Sequence, residues 1–246
     1  MSLIKNKKSL LKSKIFGNKN SSGRNNSGKI TVFHRGGGHK KKVRSLKLQN
    51  YFTVGIIMNI EYDPNRNSYI GAVFDFNSYH YYYIILAKNS KIGDIVKSGH
   101  KNKDIKLGNS LLLKNIPLGS YIHNISLRKN IKSSLSRSAG SFSILLEKKN
   151  YTCKLKVNSG ENIYLSNNCF GTLGIVSNNN SKNINKAGRS RWLNKRPIVR
   201  GVAMNPVDHP HGGGEGKTSG SMVKQTPWGK PTQGKSTSTS KRNKYK

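Results

Sequence analysis

Residues 51–86 read YFTVGIIMNIEYDPNRNSYIGAVFDFNSYHYYYIIL. Runs of β-branched and aromatic residues fill 51–60, 69–76 and 79–86, and such side chains suit a pleated, half-buried surface. DPNRN separates the first two runs; Pro64 presets its own φ, and Asp63 and Asn65 supply turn chemistry. Asn77 and Ser78 break the second run from the third. Shorter runs follow at 94–96, 104–106 and 111–113, each bounded by Gly or Asn. About five short strands with turns between them predict a small Greek-key barrel of the oligonucleotide-binding type over 51–118. Tyr79 and Tyr81 to Tyr83 offer rings on which bases can stack, but half-buried barrel wall is the preferred reading for them.

Moving outward, Asn115, Ile116, Pro117, Leu118 and Gly119 form a joint. Beyond it YIHNI, SFSILL, YTCKLKV, ENIYL and CFGTLGIV are again short and evenly spaced. Within 151–157, Cys153, Leu155 and Val157 alternate with Thr152, Lys154 and Lys156, the period of a strand with one buried face. A second small barrel, SH3-like, is expected over 119–176. Barrels this small bury little surface each, so they should pack on each other or on RNA. The fold class is mainly β: an oligonucleotide-binding-type barrel, then an SH3-like barrel. Long irregular basic extensions, 1–50 and 177–246, flank the pair.

Charge names the partner. The 246 residues hold 45 Lys+Arg against 9 Asp+Glu, a formal net charge of +36. Such a chain repels itself unless a polyanion neutralises it, which points to nucleic acid. A membrane surface is the rival polyanion, but there is no long amphipathic helical pattern and no apolar span of bilayer length. Seven of the nine acids fall from Glu61 to Glu161, so the middle folds and the ends act as acid-poor arms. Cys153 and Cys169 lie in separate segments without C-x-x-C spacing. That removes zinc knuckles and makes both small core residues in a reducing compartment. Residues 177–185, SNNNSKNIN, read as a low-complexity connector.

Two glycine-rich basic loops flank the middle. The first contains Arg24 and Lys29, then His34, Arg35, Gly36, Gly37, Gly38, His39 and Lys40. The second is RGVAMNPVDHPHGGGEGK, 200–217, with Arg200, Asn205, Asp208, His209, His211, Gly212, Gly213, Gly214 and Lys217. Just before it, Arg189, Arg191, Lys195 and Arg196 cluster around Trp192. Glycines let backbone approach a groove closely while Arg and Lys neutralise phosphates. Trp192 is read either as a stacking surface for a base or sugar or as an anchor of the arm on the second barrel. Four rival readings are weaker. A plain linker would not need Asp208, His209, His211 and Glu215 so close together. A metal site wants a third well-spaced ligand beside His209 and His211, and a nucleophilic enzyme wants a Ser, Cys or Lys framed by a base. A free-standing single-strand binder would not need two long acid-free arms.

SSGRNNSGKIT, HRGGGHK, EYDPNRNSYI, LKNIPLGSYIHNI, SRSAGSF, GTLG, KAGRSRWLNKRPIVRGVAMNPVDHPHGGGEGK and TPWGKPTQGK occur in that order. In this the chain resembles the bacterial-type family of the second large-subunit ribosomal protein. The resemblance implies the two barrels named above, extensions threading large-subunit rRNA, and a place near the peptidyl-transferase centre. It further implies neighbouring ribosomal proteins, association with the small subunit through a bridge, support of tRNA binding, and no homo-oligomer. Asn25, Asn26, Arg137, Trp228 and Lys230 join the expected rRNA contacts on these motifs. His209 falls on the histidine discussed for peptidyl transfer; here a positioning role is expected, with Asp208 steering its ring toward a phosphate or base. No enzyme activity and no resident cofactor are expected, any magnesium being held mainly by rRNA. The pattern departs at the short first arm, the Asn-rich connector and the Ser/Thr tail. Frequent Lys, Asn, Ile and Tyr, as A+T-rich coding produces, and no clear cleavable signal lead to an expected mitochondrial location. A plastid or a bacterial cytoplasm is the alternative.

Overall fold

A computed structural model of the chain describes residues 9–48, 52–99, 104–129, 131–178, 184–216 and 223–233. Two compact units emerge: Met1–Asn18 with Lys40–Asn183, and Lys19–His39 with Ile184–Lys246. The single arm expected over 1–50 is therefore divided between them. The physical reason is apolar: Leu11, Ile15 and Leu46 pack with Ile70, Ala72 and Tyr83 of the first barrel.

The barrel unit opens with a two-stranded sheet, β1 (Ile15–Gly17) antiparallel to β2 (Lys42–Arg44). Next come β3 (Thr53–Tyr62), β4 (Tyr69–Asp75), β5 (Tyr81–Ile85), β6 (Ile95–Ser98) and β7 (Ser110–Leu112). β8 (Tyr121–His123), β9 (Ser143–Lys148), β10 (Thr152–Val157), β11 (Asn162–Ser166) and β12 (Phe170–Leu173) complete it. These ten strands hydrogen-bond in the order β11-β10-β9-β8-β12-β7-β6-β3-β4-β5. The three dense runs of 51–86 are β3, β4 and β5. The DPNRN turn joins β3 to β4: buried Asp63 accepts from the Asn65 N–H at 3.0 Å and pairs with Arg66 Nε at 2.7 Å. Residues 104–106, expected as a strand, form none; the Lys106 N–H folds back to the Asp104 carbonyl at 3.0 Å, which is turn geometry.

Two cores fill the sheet. Ile57, Ile60, Val73, Leu86 and Val96 make the first. Leu111, Leu113, Ile116, Ile122, Leu145, Cys153, Leu155 and Leu173 belong to the second. The joint thus lies before residue 110 and not at 115–119, because β7 pairs with β12 and its Leu111 belongs to the second core. The alternation in 151–157 holds: Cys153 and Leu155 are buried, Val157 packs at the edge, and Lys154 and Lys156 point away. Cys153 and Cys169 are free and buried, and burial pushes both thiols up. Along β5 neighbouring Tyr82 and Tyr83 face opposite ways, Tyr82 against the first core and Tyr83 fully buried with Ile70 and Ala72. Tyr81 at the strand start is 42% and Tyr79 before it 76% exposed.

One buried acid ties the start of the chain to this barrel. Glu61 is 2% exposed, and its carboxylate accepts from the Leu10 N–H at 2.7 Å and from the Tyr83 hydroxyl at 2.9 Å. The Leu11 N–H in turn donates to the Tyr83 oxygen at 3.2 Å. Burial, then the bond to Glu61, pushes the Tyr83 phenol up to about 12. A carboxylate buried this deeply is tolerable because its oxygens are hydrogen-bonded.

Candidate nucleic-acid interface

The second unit brings both glycine-rich loops into one body although some 160 residues separate them in sequence. Its charge is almost wholly cationic, 18 Lys+Arg against two acids: only Asp208 and Glu215 of the nine acids fall here. Lysine dominates the whole chain, yet seven of its eleven arginines are in this unit. Arginine carries a planar fork of donors that matches phosphate geometry, so its concentration marks where anions are to be held.

Local hydrogen bonds shape the first loop. Asn25 bonds Lys29 twice, its N–H to the Lys29 carbonyl and its Oδ1 to the Lys29 N–H, both at 2.9 Å. Arg24 Nη1 donates to the Gly28 carbonyl at 2.9 Å, closing the turn. The chain then runs beside the segment after α1 (Ala187–Trp192). Arg35 bridges to Lys195, the Gly36 N–H donates to the Asn194 carbonyl at 3.2 Å, and the Arg196 N–H to His34 at 2.8 Å. These are backbone bonds, which no side-chain pattern announces.

Asn194 holds the junction together and was not singled out in the sequence. It follows α1 with φ +70, in the left-handed region that glycine and asparagine adopt most readily. Its N–H bonds Arg191 at 3.0 Å, and the next N–H, of Lys195, reaches Ser190 at 3.0 Å, so two terminal carbonyls of the helix are satisfied. Its Oδ1 accepts from Asn20 Nδ2 at 2.9 Å and from the Gly38 N–H at 3.3 Å. An Asn two residues after Trp192 was the available signal. Trp192 itself packs against His39, ring centroids 5.3 Å apart, with Lys186 Nζ 4.4 Å over its ring. Its neighbours are thus within its own unit, and it remains 44% exposed.

The second loop folds on itself. The His209 and Gly212 backbones close turns to Asn205 and His209, and the Gly213 N–H reaches the Met204 carbonyl at 3.2 Å. Side chains at Gly212 or Gly213 would collide with Asn205 or Pro206 of the same loop. The close approach these glycines permit is therefore intramolecular. His209 is only 7% exposed, and its ring lies on Gly201, where a Cβ would stand 2.5 Å from it. The His211 N–H donates to His209 Nδ1 at 3.0 Å, and the Gln225 N–H donates to His211 Nε2 at 2.9 Å. The two rings stack at 5.1 Å. The His211 backbone N–H, and not Asp208, therefore fixes the His209 ring; with Nδ1 accepting, the proton of the neutral ring sits on Nε2. Among the described residues no group of three or more His, Cys, Asp or Glu is placed to hold a metal ion.

Exposure separates the expected contacts. Arg24, Asn25, Asn26, Lys29, His34, Arg35, His39, Arg191, Lys195, Arg196, Arg200, Asn205, Asp208, Trp228 and Lys230 lie on the surface of this unit. Arg189 and His211 are half-buried, and Gly36 is buried. Lys40 and half-buried Arg137 belong to the barrel unit, and Lys217 lies outside the described residues.

Two β-barrels joined in one sheet, accompanied by an arginine-rich unit of paired glycine loops, define a basic RNA-binding protein. The description "Ribosomal Proteins L2, RNA binding N-terminal domain" matches residues 8–98, and "Ribosomal Proteins L2, C-terminal domain" matches 106–229. The break between the matches falls where β6 ends and before β7 begins, as the cores require. "Large ribosomal subunit protein uL2m" of Reclinomonas americana is 53% identical over 222 residues, 88% of this chain and 79% of that protein. "Large ribosomal subunit protein uL2" of Wolbachia pipientis subsp. Culex pipiens (strain wPip) is 48% identical over 229 residues, 92% of this chain and 83% of that one. The uL2 of Rickettsia peacockii (strain Rustic) is 48% identical over 236 residues, 94% and 86% of the two chains. The chain belongs to the ribosomal protein L2 family, and its role is that of a structural, RNA-binding component of the large ribosomal subunit. Among the described residues no helix is long and apolar enough to cross a membrane.

Proposed function

We propose that the chain holds large-subunit rRNA near the peptidyl-transferase centre with the exposed cations of its second unit, and that it does so without catalysing a reaction. The carrying observation is the state of His209: buried, laid on Gly201, with Nδ1 already accepting a backbone N–H. A general base needs a free nitrogen within reach of the reacting proton. A ring used in this way instead braces the loop, so that Arg200, Asn205 and Asp208 are presented to RNA. Its chemistry needs no resident cofactor, and magnesium at the interface would be held mainly by rRNA. On this reading the protein also meets neighbouring ribosomal proteins, joins the small subunit through a bridge, supports tRNA binding and acts as a single copy. The composition rich in Lys, Asn, Ile and Tyr, with the similarity to a uL2m, supports a mitochondrial large subunit as its place of work.

The test is His209→Ala in reconstituted large subunits. The yield of assembled subunits should fall, while those that assemble form peptide bonds at a near-normal single-turnover rate. Fully assembled variant subunits with intact rRNA structure and a rate lowered by several orders of magnitude would restore a chemical role.

A further inference from the structure

The second unit carries an open pocket of about 370 Å³ whose lining combines two chemistries. Arg24, Arg35 and Arg196 are among its lining residues, and no acid lines it. Ile30 and Phe33 supply an apolar side, though they are 46% and 57% exposed and so are not core residues. Arg24 is already steadied by its bond to the Gly28 carbonyl, which lowers the ordering cost of gripping a ligand.

Volume and chemistry together select the occupant. A lone phosphate would satisfy the arginines but would leave most of the space, and the aromatic wall, unused; pockets for whole small molecules begin at about 300 Å³. Paired duplex bases are stacked on one another and present no free face to Phe33. An unpaired nucleotide offers both parts, a π-face that any base possesses and a phosphate that suits the arginine fork. We propose that this pocket captures one unstacked nucleotide of the large-subunit rRNA, its base against Phe33 and Ile30 and its phosphate on Arg24, Arg35 and Arg196. The proposal rests on the rRNA-binding reading of this unit and adds to it a base-capturing site and a contact residue, Phe33, that carries no charge.

Because Phe33 is uncharged, base capture can be separated from phosphate binding. Full-length protein is titrated with transcribed large-subunit rRNA across a range of salt, and base accessibility is mapped with dimethyl sulfate or a carbodiimide. Phe33→Ala should weaken binding roughly tenfold or more at every salt, the scale of one lost base–aromatic stack. The slope against salt should stay that of the wild type, and one unpaired base shielded by the wild-type protein should become reactive. Phe33→Trp should retain affinity and shielding, and Arg35→Gln should lessen the slope. Phe33→Ala with wild-type affinity and an unchanged base footprint would overturn the proposal while leaving salt-dependent rRNA binding intact. Wild-type binding that ignores salt would instead overturn the rRNA-binding reading on which it stands.

Discussion

His123 shows how far a single side chain can be committed to the fold. It is fully buried in β8, Nδ1 donating to the Gly174 carbonyl at 2.9 Å, while Nε2 is buried without a partner. Burial holds its pKa down at about 4, against an ordinary 6.5, so the ring is neutral in the folded protein. The unfolded chain takes up this proton near pH 6.5 and the folded chain only near 4, so acid favours unfolding across that window. At 1.36 kcal/mol per pKa unit the loss approaches about 3 kcal/mol by pH 4 and vanishes above neutrality. Urea unfolding of the full chain at pH 7, 5.5 and 4.5 should show stability falling with pH. His123→Leu should remove that part of the slope; an unchanged pH dependence in the variant would assign it elsewhere. His209, by contrast, is buried only by its own loop, so its loss should disturb that loop and spare the barrels.

At the scale of elements, the Glu61 contact decides whether the first described residues stay docked. Glu61→Ala would strand the buried Tyr83 hydroxyl, a loss of about 1–3 kcal/mol, and would release the half-exposed Leu10 N–H from its anchor. Amide exchange at Leu10 and Leu11 should accelerate, with a smaller effect in Glu61→Gln, which keeps an acceptor oxygen. Equal exchange in wild type and Glu61→Ala would mean that apolar packing of Leu11 alone holds the segment. Elements differ in how plainly the chain announces them. β3, β4 and β5 were legible because β-branched and aromatic density marks a strand regardless of what it packs on. The allegiance of β7 was not, since Ser110–Leu112 is apolar enough for either core and only its pairing with β12 assigns it. The cationic residues of the interface were legible one by one. Their gathering into one body was not, because it depends on backbone bonds from 34–39 to 192–196 and on the left-handed Asn194.

For the molecule as a whole, charge sets the binding law. Each phosphate neutralised releases counterions, so log affinity for rRNA should fall with log salt by roughly 0.7–0.9 per contact. Filter binding from low to moderate salt measures the slope, and a steep one is expected of a chain with net charge +36. The way the two units are divided also bears on how the protein is made. Residues 19–39 leave the ribosome that synthesises them long before 184–200, the segment they pair with. At 5–20 residues per second the wait is roughly 7 to 30 s, time enough for the barrels between them to fold. Throughout that interval a bare arginine-bearing loop trails from a nascent chain. Whatever meets it first, an RNA or a protective companion, sets the order in which this protein enters its particle.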